Sequence, residues 1–162
     1  MFGEERTTRV FAGECSFRVF DERLLSAMET LVDNGSDIVI SGSYVVTDPF
    51  VDSVYTEGER LRYSKLIGAE WRTTNASQDG RVNNVERSRF MSFCNGANDS
   101  VYNAECVDAL EPIGSKSCVV LRYTQNGLPA AVKCVHTRSS VMTIGFPLET
   151  LLDIRDLEYI IK

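Results

Sequence analysis

The stretch from Phe20 to Tyr44 constrains the fold more than any other part of the chain. Leu24, Leu25, Met28, Leu31 and Val32 recur at helical spacing, Asp21 stands where an N-cap belongs, and Gly35 follows as a C-terminal cap. This pattern predicts a helix from about Phe20 to Asp33. Ile38-Val39-Ile40 comes next, a β-branched run with no polar face, which suits a strand covered on both sides. Helix, glycine and doubly covered strand make the second half of an α/β unit.

The rest of the chain supplies further elements of both kinds. Arg9 to Ala12 reads as a short entering strand. Thr56 and Glu59 form a capping box at the start of a second helix, whose apolar residues are Leu61, Leu66 and Ile67 and whose stop is Gly68. Trp71–Thr74, Val82–Val85 and Phe90–Phe93 are strand-like, with a turn at Gln78-Asp79-Gly80 and a loop from Asn95 to Asn103. Cys118–Tyr123 and Ala131–His136 flank Gln125-Asn126-Gly127, where Asn-Gly supplies the positive φ of a tight hairpin turn. Val141–Phe146 is a second buried strand leading to a closing helix over Leu148–Ile161, with Pro147 tolerated near its first turn. The class predicted is α/β with an antiparallel hairpin on one side.

At 162 residues the chain has the size of one domain, read here as residues 1–162, with enough surface to bury for a real core. Asp and Glu outnumber Lys and Arg by 23 to 17, a net charge of −6. Without a basic run it is a poor partner for nucleic acid, whose phosphates dominate affinity. No apolar run approaches the roughly 20 residues that span a bilayer, and the polar stretch Met1 to Arg9 is not a cleavable signal. The five cysteines (Cys15, Cys94, Cys106, Cys118, Cys134) contain no C-x-x-C pair, and the one histidine is His136. Neither a zinc site nor any other metal or cofactor is expected from that set. A serine or cysteine hydrolase would have to use His136 as its base. That residue sits at a strand end beside a turn, where a half-exposed histidine needs no special explanation.

Ligands of α/β sheets gather beyond the carboxyl ends of the strands. Two segments leave buried strands there: Ser41-Gly42-Ser43-Tyr44 with Thr47, Asp48 and Asp52, and Gly145-Phe146-Pro147-Leu148-Glu149. Small residues and hydroxyls let a backbone turn sharply around a nucleophile or an anion, and equally they simply end strands. Ser41 and Ser43 are the candidate nucleophiles, although neither sits in a G-x-S-x-G elbow. Asp48, Asp52 and Glu149 can bring carboxylates to the same mouth, and Tyr44 and Trp71 can stack on a sugar ring or fill the core.

The segments Asp37–Asp48 (DIVISGSYVVTD), Arg122-Tyr123 with Asn126–Ala130 (NGLPA), and Gly145–Glu149 (GFPLE) together resemble a bacterial domain family. That family occurs near the C-terminus of large exported proteins labelled xanthan lyase-like or fibronectin type III-containing, and the resemblance runs from about Val19 to Ile161. It implies a three-layer, flavodoxin-like sheet of the class I glutamine amidotransferase kind, here short of its first strand–helix unit. It also implies a periplasmic or extracellular location, with polysaccharide or neighbouring domains as partners. Phe146-Pro147-Leu148-Glu149 stands where that fold's enzymes carry a Phe-His-Pro-Glu segment, so Glu149 is kept without a histidine, and no cysteine occupies the Gly42-Ser43 turn. The resemblance therefore implies a non-catalytic accessory or binding domain. Two alternatives are a hydrolase using Ser43 or Ser41 with His136, and a module that docks neighbouring domains through an exposed sheet edge.

Overall fold

The computed structural model describes residues 8–12, 22–51, 55–95, 104 and 106–161. β1 (Thr8–Ala12), α1 (Glu22–Asp33) and β2 (Asp37–Ser41) form a βαβ unit, with Thr8 opposite Asp37 and Ala12 opposite Ser41 in a parallel pair. Gly35 ends α1 as expected. At φ 87° it lets its own N–H reach the carbonyl of Val32 (3.0 Å) and that of Ser36 reach Leu31 (2.9 Å), which satisfies the last helical carbonyls. The expected N-cap, Asp21, lies outside the described residues.

The chain continues through α2 (Thr47–Val51), α3 (Glu57–Ile67), β3 (Ala69–Thr73), β4 (Arg81–Asn84) and β5 (Phe90–Ser92). β6 (Ala109–Pro112), β7 (Ser117–Tyr123), β8 (Pro129–Val135) and β9 (Ser140–Ile144) follow. A 3-10 turn (Leu148–Thr150) and α4 (Ile154–Ile161) close the described chain. The capping box is present at α3: the Thr56 hydroxyl accepts from the Glu59 N–H (3.2 Å) while the Glu59 carboxylate accepts from the Thr56 N–H (2.8 Å).

Among the described residues, seven strands share one sheet in the order β1-β2-β9-β8-β7-β4-β5, and β3 pairs with β6 apart from it. This corrects the flavodoxin-like, amidotransferase-like three-layer expectation. Only β1/β2 and β2/β9 are parallel; β9/β8, β8/β7, β7/β4 and β4/β5 are antiparallel. The result is a mixed, curled half-barrel that is mostly β. The physical reason lies in the connections. Parallel neighbours need a crossover of a dozen residues or more, whereas the short turns at Asn126-Gly127 and residues 136–139 can only return the chain antiparallel. β1 precedes α1 and pairs parallel with β2.

The closing helix is also shorter than its pattern suggested. Cys94 donates its N–H to the Thr150 carbonyl (2.8 Å), Leu152 donates to Ser92 (2.9 Å), and Phe93 bridges Leu151. Residues 150–152 are thus drawn into pairing alongside β5, and the helix starts afresh at Ile154.

Alternate residues of β2 feed two cores. Ile38 and Ile40 join Met28, Tyr63, Ile67 and Val141 beneath α1 and α3. Val39 faces Met91, Leu121, Tyr123, Ile144 and Phe146 on the other side, where α4 packs. Phe93 stacks on Phe146 with ring centroids 4.4 Å apart. Fully burying side chains of this size contributes roughly 1.5–3 kcal/mol each. The NGLPA segment serves the second core: Asn126 donates from Nδ2 to the Ala76 carbonyl (2.7 Å) and accepts from the Leu128 N–H (3.0 Å), fastening the β7–β8 turn to the loop before β4.

Candidate functional site

The carboxyl ends of β2 and β9 lie side by side, with Ser41 opposite Ile144. Ser41, 2% exposed, donates its hydroxyl to the Phe146 carbonyl (3.1 Å) and accepts from the Leu148 N–H (2.7 Å). Both roles tie one exit loop to the other. Gly42 and Ser43 are buried behind it, and the Ser43 Oγ has no hydrogen-bond partner among the described residues. Tyr44, half-buried, takes φ 58°, a left-handed conformation that costs a non-glycine residue about 1 kcal/mol or more. Its N–H donates to the Cys106 carbonyl (3.2 Å), and its carbonyl accepts from the Asp48 N–H (3.1 Å). The strained residue thereby turns the chain into α2.

Asp108 organises this end of the sheet. Fully buried, it accepts the N–H groups of Val46 and Thr47 on Oδ2, both at 2.8 Å, and the Thr47 hydroxyl on Oδ1. Burial pushes its carboxyl above the usual range, opposed by the hydrogen bonds from Thr47, Val46 and Thr74. Its backbone is engaged as well: the Asp108 N–H donates to the Gly145 carbonyl (2.7 Å), and its carbonyl accepts the Tyr123 hydroxyl (2.8 Å). Burial, and then the charge on Asp108, push the Tyr123 phenol up. Gly145 is required by this approach, because a Cβ there would stand 2.0 Å from the Asp108 carbonyl oxygen.

Asp108 escaped the sequence reading, although a signal existed. It is a lone carboxylate within the apolar run Cys106-Val107-Asp108-Ala109-Leu110, and such a residue needs buried donors.

The other candidates are dispersed. His136 follows β8, whose Val135 lies opposite Ser140 at the start of β9, whereas Ser41 lies opposite the end of that strand. Four residues of strand separate the two positions, roughly 13 Å. His136 Nε2 is 2.8 Å from the Leu66 carbonyl near the end of α3, so that nitrogen is a donor. Among the described residues no serine pairs with His136. Glu149 is at the Ser41 end but exposed, and Asp48 is half-buried in the first turn of α2. Asp52 lies outside the described residues. Trp71, on β3, packs against the first core with its indole N–H buried and without an acceptor among the described residues. Among the described residues no group of three or more His, Cys, Asp or Glu is placed to hold a metal, and no disulfide joins any two of Cys94, Cys106, Cys118 and Cys134. No described helix is long and apolar enough to cross a membrane. The sheet edge offered for docking is β5, where Phe90 is 72% exposed and the 151–152 segment pairs alongside.

No protein-family model and no curated protein matches the sequence. Solved structures do match. An exo-β-1,4-mannosidase from an Opitutaceae bacterium superposes at TM-score 0.55 and 14% identity, over 88% of this chain and 21% of that one. A β-galactosidase from the haloarchaeon Halorubrum lacusprofundi gives 0.58 and 15%, over 86% and 19%. The β-galactosidase of Bacillus circulans gives 0.58 and 10%, over 96% and 22%. At these identities the likeness concerns the fold, and the chain spans about a fifth of each enzyme. The fold is thus that of a part of such glycosidase chains, which replaces the flavodoxin-like and amidotransferase-like description.

Proposed function

We propose that the chain is a non-catalytic accessory domain of a larger carbohydrate-active protein. The observation that carries this reading is the state of Ser41 and Ser43. One hydroxyl is held between two backbone groups of the facing loop, the other is walled in, and the one histidine stands at the opposite end of the sheet. A nucleophile needs a base within hydrogen-bond reach and room for substrate, and neither condition is met here. The likeness to about a fifth of β-galactosidase and mannosidase chains supports a carbohydrate setting. Export of the parent protein, implied by the SGSY, NGLPA and GFPLE segments, belongs to the same proposal.

The purified chain is to be incubated with nitrophenyl β-galactoside, nitrophenyl β-mannoside and a fluorophosphonate probe, and run through native gels cast with galactan or mannan. The expected result is no turnover, no labelled serine and slowed migration in at least one polysaccharide. Labelling of Ser41 or Ser43 would overturn the non-catalytic part, and unretarded migration in both gels the carbohydrate part.

A further inference from the structure

The second core opens under α4 into a cavity of about 280 Å3, whose lining includes none of the residues that bond across the Ser41–Gly145 mouth. Its floor is Val120, Leu121 and Met142 of β7 and β9, and Tyr159 and Ile160 of α4 close one side. The polar rim comes from the turn after β4: Asn84, Glu86 and Arg87.

The cavity is built rather than incidental. α4 is clamped to the sheet by Arg89, whose Nε and Nη2 donate to Asp156 Oδ1 at 3.0 and 2.5 Å, with Asp156 only 7% exposed. The Arg89 and Arg87 guanidinium carbons lie 4.8 and 5.3 Å from the Tyr159 ring centroid, which holds the ring in place. Asn84 is 8% exposed, and its Oδ1 accepts the N–H groups of Glu86 (3.0 Å) and Arg87 (2.8 Å). Those two bonds fix the amide orientation, and among the described residues its Nδ2 hydrogens meet no acceptor. The Glu86 carboxylate has no partner among the described residues, and Arg87 has only the Tyr159 ring.

An apolar floor, two kinds of donor and a carboxylate acceptor are therefore left unused around one small space. The two rim charges are opposite and adjacent, so an ionic ligand attracted by one would be repelled by the other. A neutral molecule with hydroxyls that both donate and accept, and with an apolar C–H face, suits the set. We propose that this cavity is a subsite for one neutral hexopyranose unit, with Asn84 and Arg87 donating to its hydroxyls and Glu86 accepting. The proposal rests on the carbohydrate reading above and assigns it a place.

Saturation-transfer NMR of the full chain with methyl β-galactoside and methyl β-mannoside tests it, beside the same polysaccharide gels. Transfer to at least one sugar is expected, weakened tenfold or more in affinity by Glu86→Ala and by Arg87→Ala. Both residues are exposed, so these variants are expected to fold. Met142→Trp, which fills the floor, is expected to abolish transfer, its near-UV circular dichroism serving as the check on folding. Transfer unchanged in Glu86→Ala and Arg87→Ala would overturn the subsite, as would no transfer from a chain that the gels still retard. In both cases the broader reading stands. A chain that shows neither transfer nor retardation loses both.

Discussion

The two regions of interest in this molecule engage their polar side chains differently. At the carboxyl ends of β2 and β9, Ser41, Asp108 and Tyr123 direct their polar atoms at backbone groups of the same chain, so the mouth is closed by its own loops. Under α4, Asn84, Glu86 and Arg87 keep donors and an acceptor that form no hydrogen bond among the described residues, beside an apolar floor. Polar groups fixed by backbone bonds serve stability, and ligands are met by groups held in place but left unsatisfied. A sheet's carboxyl end is where chemistry is usually sought, yet here that end is the better packed of the two.

If the mouth is structural, its closest contact is the place to break it. Gly145→Ala sets a Cβ 2.0 Å from the Asp108 carbonyl oxygen and 3.2 Å from the Tyr123 hydroxyl. Neither backbone can yield without losing the Asp108–Gly145 hydrogen bond, so a loss of about 4 kcal/mol or more is expected in urea unfolding. A loss below about 1 kcal/mol would mean that the mouth is loose enough to admit a ligand, and the contrast between the two regions would fail.

Asp108 gives the next largest effect and a sign to check. Asp108→Ala strands the Val46 and Thr47 N–H groups and the Thr47 hydroxyl, at a cost of about 2–3 kcal/mol. Asp108→Asn can still accept both N–H groups while its amide donates to Thr47, and it never titrates. Because the folded carboxyl is held above its unfolded value, near 3.9, its contribution is complete below that pH and is lost as pH rises through the folded value. The stability of the native chain relative to Asp108→Asn should therefore fall as pH rises above about 4. A constant difference across that range would mean that burial does not govern this carboxyl.

How much of this was legible follows from the range of each signal. Gly35, the Thr56–Glu59 box and Gly127 act within a few residues, and the structure shows each: Gly35 at φ 87°, the box at α3, and Gly127, though not Asn126, at positive φ in the β7–β8 turn. Strand direction is not local. The apolar runs at Ile38–Ile40 and Val141–Phe146 marked buried strands, but nothing in them showed that β8, β7, β4 and β5 would extend the sheet antiparallel. The site residues divide the same way. Ser41 and Ser43 were visible because small hydroxyl residues follow a strand, whereas the engagement of Ser41 depends on Phe146 and Leu148, more than a hundred residues later. The α4 cavity needs Asn84, Met142 and Tyr159 to meet, and no spacing in the sequence brings them together.

The smallest effect expected lies at the other region, where α4 begins. Asp153 accepts the Arg155 N–H (2.9 Å) and its guanidinium on both oxygens, contacts that hold its carboxyl down at about 2. Its sign is opposite to that of Asp108. The contribution is present above the unfolded value near 3.9 and is lost as pH falls through about 2. Asp153→Asn should flatten the acid-side decline between about pH 4 and pH 2 that Asp108→Asn leaves intact, read from urea midpoints across that range. Asp153 is only half-buried and its partner Arg155 is exposed, so the change should be the slightest of the three. Because α4 carries Tyr159 and Asp156, amide hydrogen exchange along residues 154–161 should quicken in Asp153→Asn while β2 and β9 stay protected. Equal quickening at both would mean that α4 and the mouth open as one unit, and that the two regions differ in chemistry but not in stability.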